Sequence, residues 1–371
     1  MTKKGRVLVA MSGGIDSTVT AVMLKNEGYD VIGITMKTWD YANSGGNKKE
    51  TGCCSLDSIN DARAICVEHQ IPHMILDIRS EFGDYVIDDF VSEYLAGRTP
   101  NPCVLCNTHI KWEALMKRAD RLDCDFIATG HYANIRKEND RMVVSKGKDT
   151  WKDQSYVLWG LSQKNLARTL LPMGTYTKTE IRQIALDWGY TELVNKSESY
   201  EICFIPDNDY RGFLKRRVPE LQEKVNGGSY ESMEGENMGT HEGFPFYTIG
   251  QRKGLGIATG EPKYVVQIDA EENKVLLGDK EDLLRNGMFV QDVNLSKWEK
   301  IPEGFESTVK VRYKHDGVKA RIFDEGEGVL RVEFEEGVEA IAPGQSAVFY
   351  DENDLLGGGR ILSSFNYEKN D

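Results

Sequence analysis

Apolar residues in the first half of the chain alternate between two periods. Short unbroken runs recur at Val7–Met11, Val31–Met36, His73–Ile78 and Phe126–Gly130, each the length of a buried strand. Segments with apolar positions at helical spacing separate them. Val19, Val22 and Met23 follow the first run, with an end near Gly28, and Ile59, Ala62, Ile65 and Cys66 lie within Ser55–His69. Phe82, Val86 and Phe90 mark a helix over Phe82–Leu95, and further helices are predicted over Trp112–Leu122 and Thr177–Trp188. Tyr41–Gly52 is polar and Gly-rich and reads as a loop. Strand–helix alternation predicts an α/β fold with a doubly wound parallel sheet. Ligands of such sheets bind beyond the carboxyl ends of the strands, the edge on which Met11, Met36 and Gly130 would lie.

Past residue 205 the pattern changes. Tyr210–Val218 is short and basic, and Val225–Gly243 is Gly-rich and acidic, the composition of a surface loop. Val265–Asp269 and Lys274–Gly278 flank a polar turn and predict a hairpin. Phe289–Leu295, Ser307–Tyr313, Val318–Phe323, Val329–Phe334 and Ala347–Tyr350 are short, evenly spaced strands, as in a small β-barrel. The expected domains are therefore a catalytic domain at 1–205, a small central domain at 206–280 and a C-terminal barrel at 281–371.

With 371 residues the chain can hold two or three domains. No apolar run approaches the ~18–20 residues of a membrane span, and the run after Lys3 and Lys4 is too short for a signal peptide. Seven cysteines, an odd number, fit a reducing compartment, so a cytoplasmic location is expected. A net charge of −13 argues against a generic nucleic-acid coat but permits a local basic face. Lys310, Arg312 and Lys314 alternate and would share one face of a strand; Arg211, Lys215, Arg216 and Arg217 form a second cluster without acidic neighbours in sequence.

Two stretches carry chemistry. Ser12-Gly13-Gly14-Ile15-Asp16-Ser17 stands between a strand and a helix. Two glycines permit a tight reversal, and a helix N-terminus with flanking hydroxyls makes an anion site. No Gly-Lys-Ser/Thr follows, which excludes a Walker A loop. The segment resembles the pyrophosphate loop of ATP pyrophosphatases. Asp16 is awkward beside phosphates; capping the helix and holding Mg²⁺ are both open to it. The second stretch is Thr99-Pro100-Asn101-Pro102-Cys103-Val104-Leu105-Cys106-Asn107. Its prolines predict a stiff loop before a helix opened by Lys111-Trp112, and a thiol there should have a lowered pKa. A zinc half-site is the other reading; it needs two more ligands, and adjacent Cys53 and Cys54 have unusual spacing for that. Cys66, Cys124 and, taken alone, Cys203 read as buried apolar cysteines.

Together these motifs, with Ala128-Thr129-Gly130-His131-Tyr132, Lys152-Asp153-Gln154-Ser155-Tyr156, Cys203, Tyr247–Gly254 and Pro343-Gly344-Gln345, closely resemble the bacterial tRNA-specific 2-thiouridylases of the ATP pyrophosphatase superfamily. The resemblance runs along nearly the whole chain. It implies ATP-dependent thiolation of the wobble uridine, position 34, of tRNA. By that resemblance Ala10, Met11, Ser12, Gly13, Gly14, Ile15, Asp16, Ser17, Met36 and Gly130 bind ATP with Mg²⁺, and Asn101, Pro102 and Cys103 meet the target base. Cys106 matches the nucleophile and Cys203 the persulfide carrier. His131, Lys152, Asp153, Gln154, Arg312, Tyr313 and Gln345 match tRNA contacts, with the barrel as a tRNA-binding domain. The implied partners are tRNA and a sulfur donor, a cysteine desulfurase or relay protein. Some members carry Asp at the position of Cys103, so Cys103, Cys106 and Cys203 leave room for an iron–sulfur cluster with an open iron and a cluster-dependent thiolation. Another ATP pyrophosphatase or synthetase acting on a small molecule is the rival enzyme, and it has no use for Cys106 and Cys203. A zinc or iron–sulfur RNA-binding protein without turnover would not need the Ser12–Ser17 loop.

Overall fold

The computed structural model describes residues 4–39, 55–196, 202–205, 207–257 and 260–367. The loop expected over Tyr41–Gly52, the Cys53–Cys54 pair, and Ser199, Tyr200, Glu201 and Pro206 beside Cys203 lie outside them. The chain divides into two compact units. One comprises Met1–Val86, Cys103–Asn208 and Asn353–Leu355; the other comprises Ile87–Pro102, Asp209–Glu352 and Leu356–Asp371.

In the first unit the apolar runs become β1 (Arg6–Ala10), β2 (Asp30–Lys37), β3 (His73–Asp77) and β4 (Phe126–Ala128). A hairpin follows, β5 (Ala133–Glu138) and β6 (Arg141–Lys146), and then the short β7 (Thr169–Leu170). The main sheet has the order β3-β2-β1-β4-β7, and every pairing in it is parallel. β1 is central, so Val7, Leu8 and Val9 are wholly buried, as the unbroken apolar run requires. The chain leaves β1 toward β2 on one side and returns to β4 on the other. The switch point expected to bind ligand is therefore the end of β1 facing β4. The first helix, Ile15–Asn26, packs Val19, Ala21, Val22 and Leu24 into this core.

Two helices begin as their caps dictate. Ser55 accepts from the Ser58 amide ahead of Leu56–Glu68, and Thr177 and Glu180 form a reciprocal capping box ahead of Lys178–Asp187. The Cys-x-x-Cys stretch departs from expectation. The helix does not wait for Lys111 but starts at Pro102, where a missing N–H costs nothing. It continues as a wider, π-type winding through Cys106–Trp112 and ends as a regular helix at Glu113–Arg121. Both cysteines are helical residues, not loop residues.

In the second unit Val225–Gly243 is not a loop. β8 (Gly228–Ser232) and β9 (Asn237–His241) form a hairpin within it. β10 (Tyr264–Asp269) and β11 (Lys274–Gly278) form the predicted second hairpin, and β11 joins β8 in parallel. Six strands then make a barrel: β12 (Leu284–Leu295), β13 (Phe305–Lys310), β14 (Val318–Gly326), β15 (Val329–Glu339), β16 (Ser346–Asp351) and β17 (Asp354–Phe365). Their order is β12-β15-β14-β13-β16-β17, and β12 pairs with β17 to close the ring. Residues such as Met288, Val309, Ile322, Val332, Phe334 and Phe349 fill its interior.

Candidate functional site

The nucleotide loop is built by steric exclusion as much as by hydrogen bonding. Gly13 has φ +70°, and a Cβ there would overlap the backbone carbonyl of Ser58. Only glycine fits. Gly14 differs: its φ of −96° and ψ of 164° suit any residue, and a Cβ would meet nothing nearer than Ser12 Oγ at 3.4 Å. Space ahead of the helix, not backbone strain, is what Gly14 provides. Ser17 locks the turn. Its Oγ donates to Gly14 O at 3.0 Å and accepts from the Ser12 amide at 3.1 Å. Gly130, just beyond β4, lies against the first turn of the helix; a Cβ there would come within 3.0 Å of the Asp16 and Ser17 backbone. Ala10 ends β1 and Met11 follows it, and Met36 sits near the end of the adjacent β2. The residues expected at the nucleotide site thus gather on one sheet edge.

Asp16 makes no cap for its helix. Both of its carboxylate oxygens accept from Lys178 Nζ at 2.7 Å, and Oδ1 also accepts from the Tyr132 hydroxyl at 2.7 Å. Lys178 is nearly buried. The loop's negative charge is thereby neutralised before any phosphate arrives, which answers the electrostatic objection to Asp16. Sequence reading missed Lys178. It stands 162 residues away, at the first position of a capped helix whose other signals are purely structural.

Thr129-Gly130-His131-Tyr132 continues from β4. Thr129 Oγ1 lies 2.7 Å from His131 Nδ1, and the imidazole packs on Trp112 with ring centroids 5.5 Å apart. Burial, aided by Lys111, lowers the His131 pKa to about 3. His131 is neutral near pH 7 and acts through hydrogen bonding, not as a cation. Asp153 is buried, and its carboxylate accepts from the Gly147 and Ser155 amides and from Ser155 Oγ. Gln154 Oε1 accepts from the Tyr132 amide at 3.0 Å. Of Lys152, Asp153 and Gln154, two direct their polar atoms into the fold.

On the Pro102 helix, Cys106 is buried and Cys103 exposed at its surface. The dense protein around Cys103 raises its thiol above the ordinary value, and Lys111 opposes this without overcoming it. The expected lowered pKa does not hold for Cys103: protein packed around this surface thiol outweighs one lysine. Asn107, also buried, donates to Val157 O at 2.9 Å and leaves Oδ1 without a hydrogen bond. Cys203 is half-buried in a turn closed by Ile205 N donating to Ile202 O. Phe204 beside it is buried, its ring 5.7 Å from that of Phe82 and 6.4 Å from that of Trp39. The short helix that carries Phe82, Arg79–Phe82, also packs on the Cys106–Trp112 winding. The two segments that carry Cys106 and Cys203 therefore both border one small helix. Cys66, Cys103, Cys106, Cys124 and Cys203 are not joined in disulfides. Among the described residues no three Cys, His, Asp or Glu side chains gather as a metal site. The three-thiol cluster is not assembled here. Cys66 and Cys124 are buried, and burial raises both thiols to about 11.

In the second unit Thr99–Asn101 and the Pro343-Gly344-Gln345 motif clasp each other. Gln345 Nε2 donates to Pro100 O at 2.8 Å and Thr99 O at 3.2 Å. The Thr99 amide donates to Pro343 O, and Asn101 Nδ2 reaches Ser346 Oγ at 3.4 Å. Gln345 holds the segment ending in Asn101 and Pro102. The basic clusters fare less well. β13 ends at Lys310, so Arg312, Tyr313 and Lys314 lie in the turn beyond it and do not share one strand face. Arg312 donates to Glu339 O, while Tyr313 remains exposed. Lys215 pairs with Glu242 and Arg217 with Asp88, acidic neighbours that sequence distance hid.

A parallel sheet ordered 3-2-1-4-7, with a Gly-Gly loop and buried serine at its switch point, defines an ATP pyrophosphatase-type nucleotide domain. Comparison with known proteins narrows this. The family described as tRNA methyl transferase HUP domain matches residues 5–207, the tRNA methyl transferase PRC-barrel domain matches 211–279 and the aminomethyltransferase beta-barrel domain matches 285–361. The tRNA-specific 2-thiouridylase MnmA of Amoebophilus asiaticus is 63% identical over 98% of this chain and 96% of its own length. The namesake protein of Cytophaga hutchinsonii is 64% identical over 98% and 99%, and that of Salinibacter ruber 55% over 97% and 95%. The chain belongs to the tRNA-specific 2-thiouridylase family.

Proposed function

We propose that this protein uses ATP to replace the C2 oxygen of the wobble uridine of tRNA with sulfur. The observation that carries the reading is a pyrophosphate-type loop and two cysteines, Cys106 and Cys203, in one unit of a chain that matches thiouridylases along 98% of its length. The uracil C2 oxygen is a poor leaving group. Its attack on the α-phosphate of ATP releases pyrophosphate and converts the oxygen into adenylate. Ala10–Ser17, Met36 and Gly130 hold the nucleotide. Mg²⁺ would arrive bound to ATP and offset the charge of its phosphates, while Asp16 stays held by Lys178 and Tyr132. Asn101, Pro102 and Cys103 receive a base flipped from its stack, since the reacting edge is otherwise inaccessible. His131, Lys152, Asp153, Gln154, Arg312, Tyr313 and Gln345 lie along the RNA, some by positioning others. The domains in this reading are catalytic at 1–205, central at 206–280 and barrel at 281–371, in the cytoplasm; among the described residues no helix is long and apolar enough to cross a membrane.

Sulfur comes from a cysteine desulfurase or relay protein as a persulfide on Cys203. The terminal sulfur attacks C2 and displaces AMP. Cys106 thiolate then attacks Cys203 Sγ, which frees the thiolated uridine and leaves a Cys106–Cys203 disulfide. A dithiol reductant supplies two electrons to reopen it. Buried Phe204 anchors the turn that Cys203 occupies, so a large swing of Cys203 would cost about 2–3 kcal/mol of lost burial. Short-range approach around Phe82 fits better than a long excursion. No step runs through iron, because the three thiols are not gathered among the described residues.

Purified Cys106→Ser should load persulfide on Cys203 from the donor yet form no 2-thiouridine; Cys203→Ser should not load. Persulfide on Cys106 in the absence of Cys203 would reverse the roles. The family descriptions name methyl transfer, a chemistry with no use for a pyrophosphate loop; tRNA methylation without ATP would favour it instead.

A further inference from the structure

Trp151 is 93% exposed, the most exposed large apolar side chain among the described residues. Tryptophan seldom stands so far out of a fold, because its indole is the largest apolar surface a side chain can bury. Here the backbone compels it. Asp149 Oδ1 accepts from the Trp151 and Lys152 amides at 3.1 and 3.2 Å, which fixes the turn with the indole outward. The two acids of the turn face the other way. Asp149 Oδ2 accepts from the Lys178 amide at 2.8 Å, and Asp153 is buried on three donors. No aromatic ring or cation is in contact with the indole among the described residues.

The turn is registered to the nucleotide loop at both ends. On one side Asp149 holds the Lys178 backbone, and the Lys178 ammonium grips Asp16. On the other side Gln154 donates its amide to Tyr132 O and accepts from the Tyr132 amide, and the Tyr132 hydroxyl binds the same Asp16. One residue separates each end of the turn from the loop at which ATP reacts. In the proposed reaction the uridine reacts at that loop, to which these two relays fix the turn.

We propose that Trp151 is a stacking platform for an unpaired nucleobase in the same single-stranded loop of the tRNA as the reacting uridine. A flat face needs no particular base, and a turn fixed in advance loses little entropy on stacking. The inference rests on the tRNA-thiolation reading.

The test compares full-length wild type, Trp151→Ala and Trp151→Phe. Stacking on an aromatic is worth about 1–3 kcal/mol per base, so Trp151→Ala should weaken unmodified substrate tRNA by roughly 5- to 150-fold. Trp151→Phe should restore much of it. The log–log salt slope should not change, because stacking neutralises no phosphate. ATP affinity and melting temperature should also hold. Unchanged tRNA affinity in Trp151→Ala, with wild type binding normally, overturns the proposal. So does a defect seen with the protein sulfur donor but absent with free sulfide, since Trp151 would then dock the donor. Wild type that binds no tRNA would overturn both this proposal and the functional reading beneath it.

Discussion

At the scale of single residues, the two loop glycines do different work. Gly13→Ala places a Cβ against Ser58 O at positive φ, so the folded loop itself should suffer: strain of about 1–3 kcal/mol, read as a lower melting temperature. Gly14→Val keeps an allowed backbone and should melt like wild type while losing ATP affinity, because its side chain enters the phosphate's space. Equal melting temperatures for Gly13→Ala and wild type, or ATP binding retained by Gly14→Val, would contradict this. The loop was legible in sequence because adjacent residues carry it. The division of labour was not, because Ser58 reaches Gly13 only through tertiary folding. Lys178 was hidden for the same reason. A lysine opening a capped helix is ordinary in sequence, and only the sheet's topology brings its ammonium to Asp16. The thiol of Cys103 shows the converse error. Lys111 acts in the expected direction, but surrounding protein decides the sign, and no local pattern reports that.

At the scale of elements, strongly periodic segments were legible and glycine-bearing ones were not. β17 escaped sequence reading because Gly357, Gly358 and Gly359 depress strand propensity. Their purpose is closure: a Cβ at Gly359 would lie 2.6 Å from Gln291 O, and one at Gly357 would overlap Asn294 O, both on β12. The β8–β9 hairpin reads as loop from sequence because its glycines and acids mask short strands whose pairing supplies the stability. The Pro102 helix resembles a loop in sequence because prolines break helix interiors, although proline is welcome at a helix's first position. Within the second unit Gln345, just before β16, donates two hydrogen bonds to the Thr99 and Pro100 carbonyls. Each net bond is worth about 0.5–1.5 kcal/mol, so Gln345→Ala should lower stability slightly. Its larger effect should be a fall in the single-turnover thiolation rate with ATP affinity intact, since Asn101 and Pro102 lose their hold. Loss of tRNA affinity at an unchanged rate would instead make Gln345 a direct RNA contact.

At the scale of the whole molecule, charge and chemistry must be reconciled. The chain carries −13, so tRNA has to be met by local cations. Arg312 and Lys314 lie in an exposed turn, whereas Lys215 and Arg217 are occupied by Glu242 and Asp88. Alanine at Arg312 and Lys314 together should flatten the log–log salt dependence of tRNA binding. Alanine at Lys215 and Arg217 should change it little, because removing a paired charge alters the net field less. The reverse ranking would move the docking surface to the Tyr210–Arg217 helix. The central claim is that adenylation and sulfur transfer belong to one reaction on tRNA. Wild-type protein, unmodified tRNA, ATP with Mg²⁺ and a persulfide donor should be combined, and the digested tRNA nucleosides measured by mass spectrometry alongside AMP and pyrophosphate. The account predicts 2-thiouridine, with AMP and pyrophosphate released in equal amounts to it and neither released without tRNA. Nucleotide cleavage independent of tRNA, or a tRNA product that carries no sulfur, would contradict it.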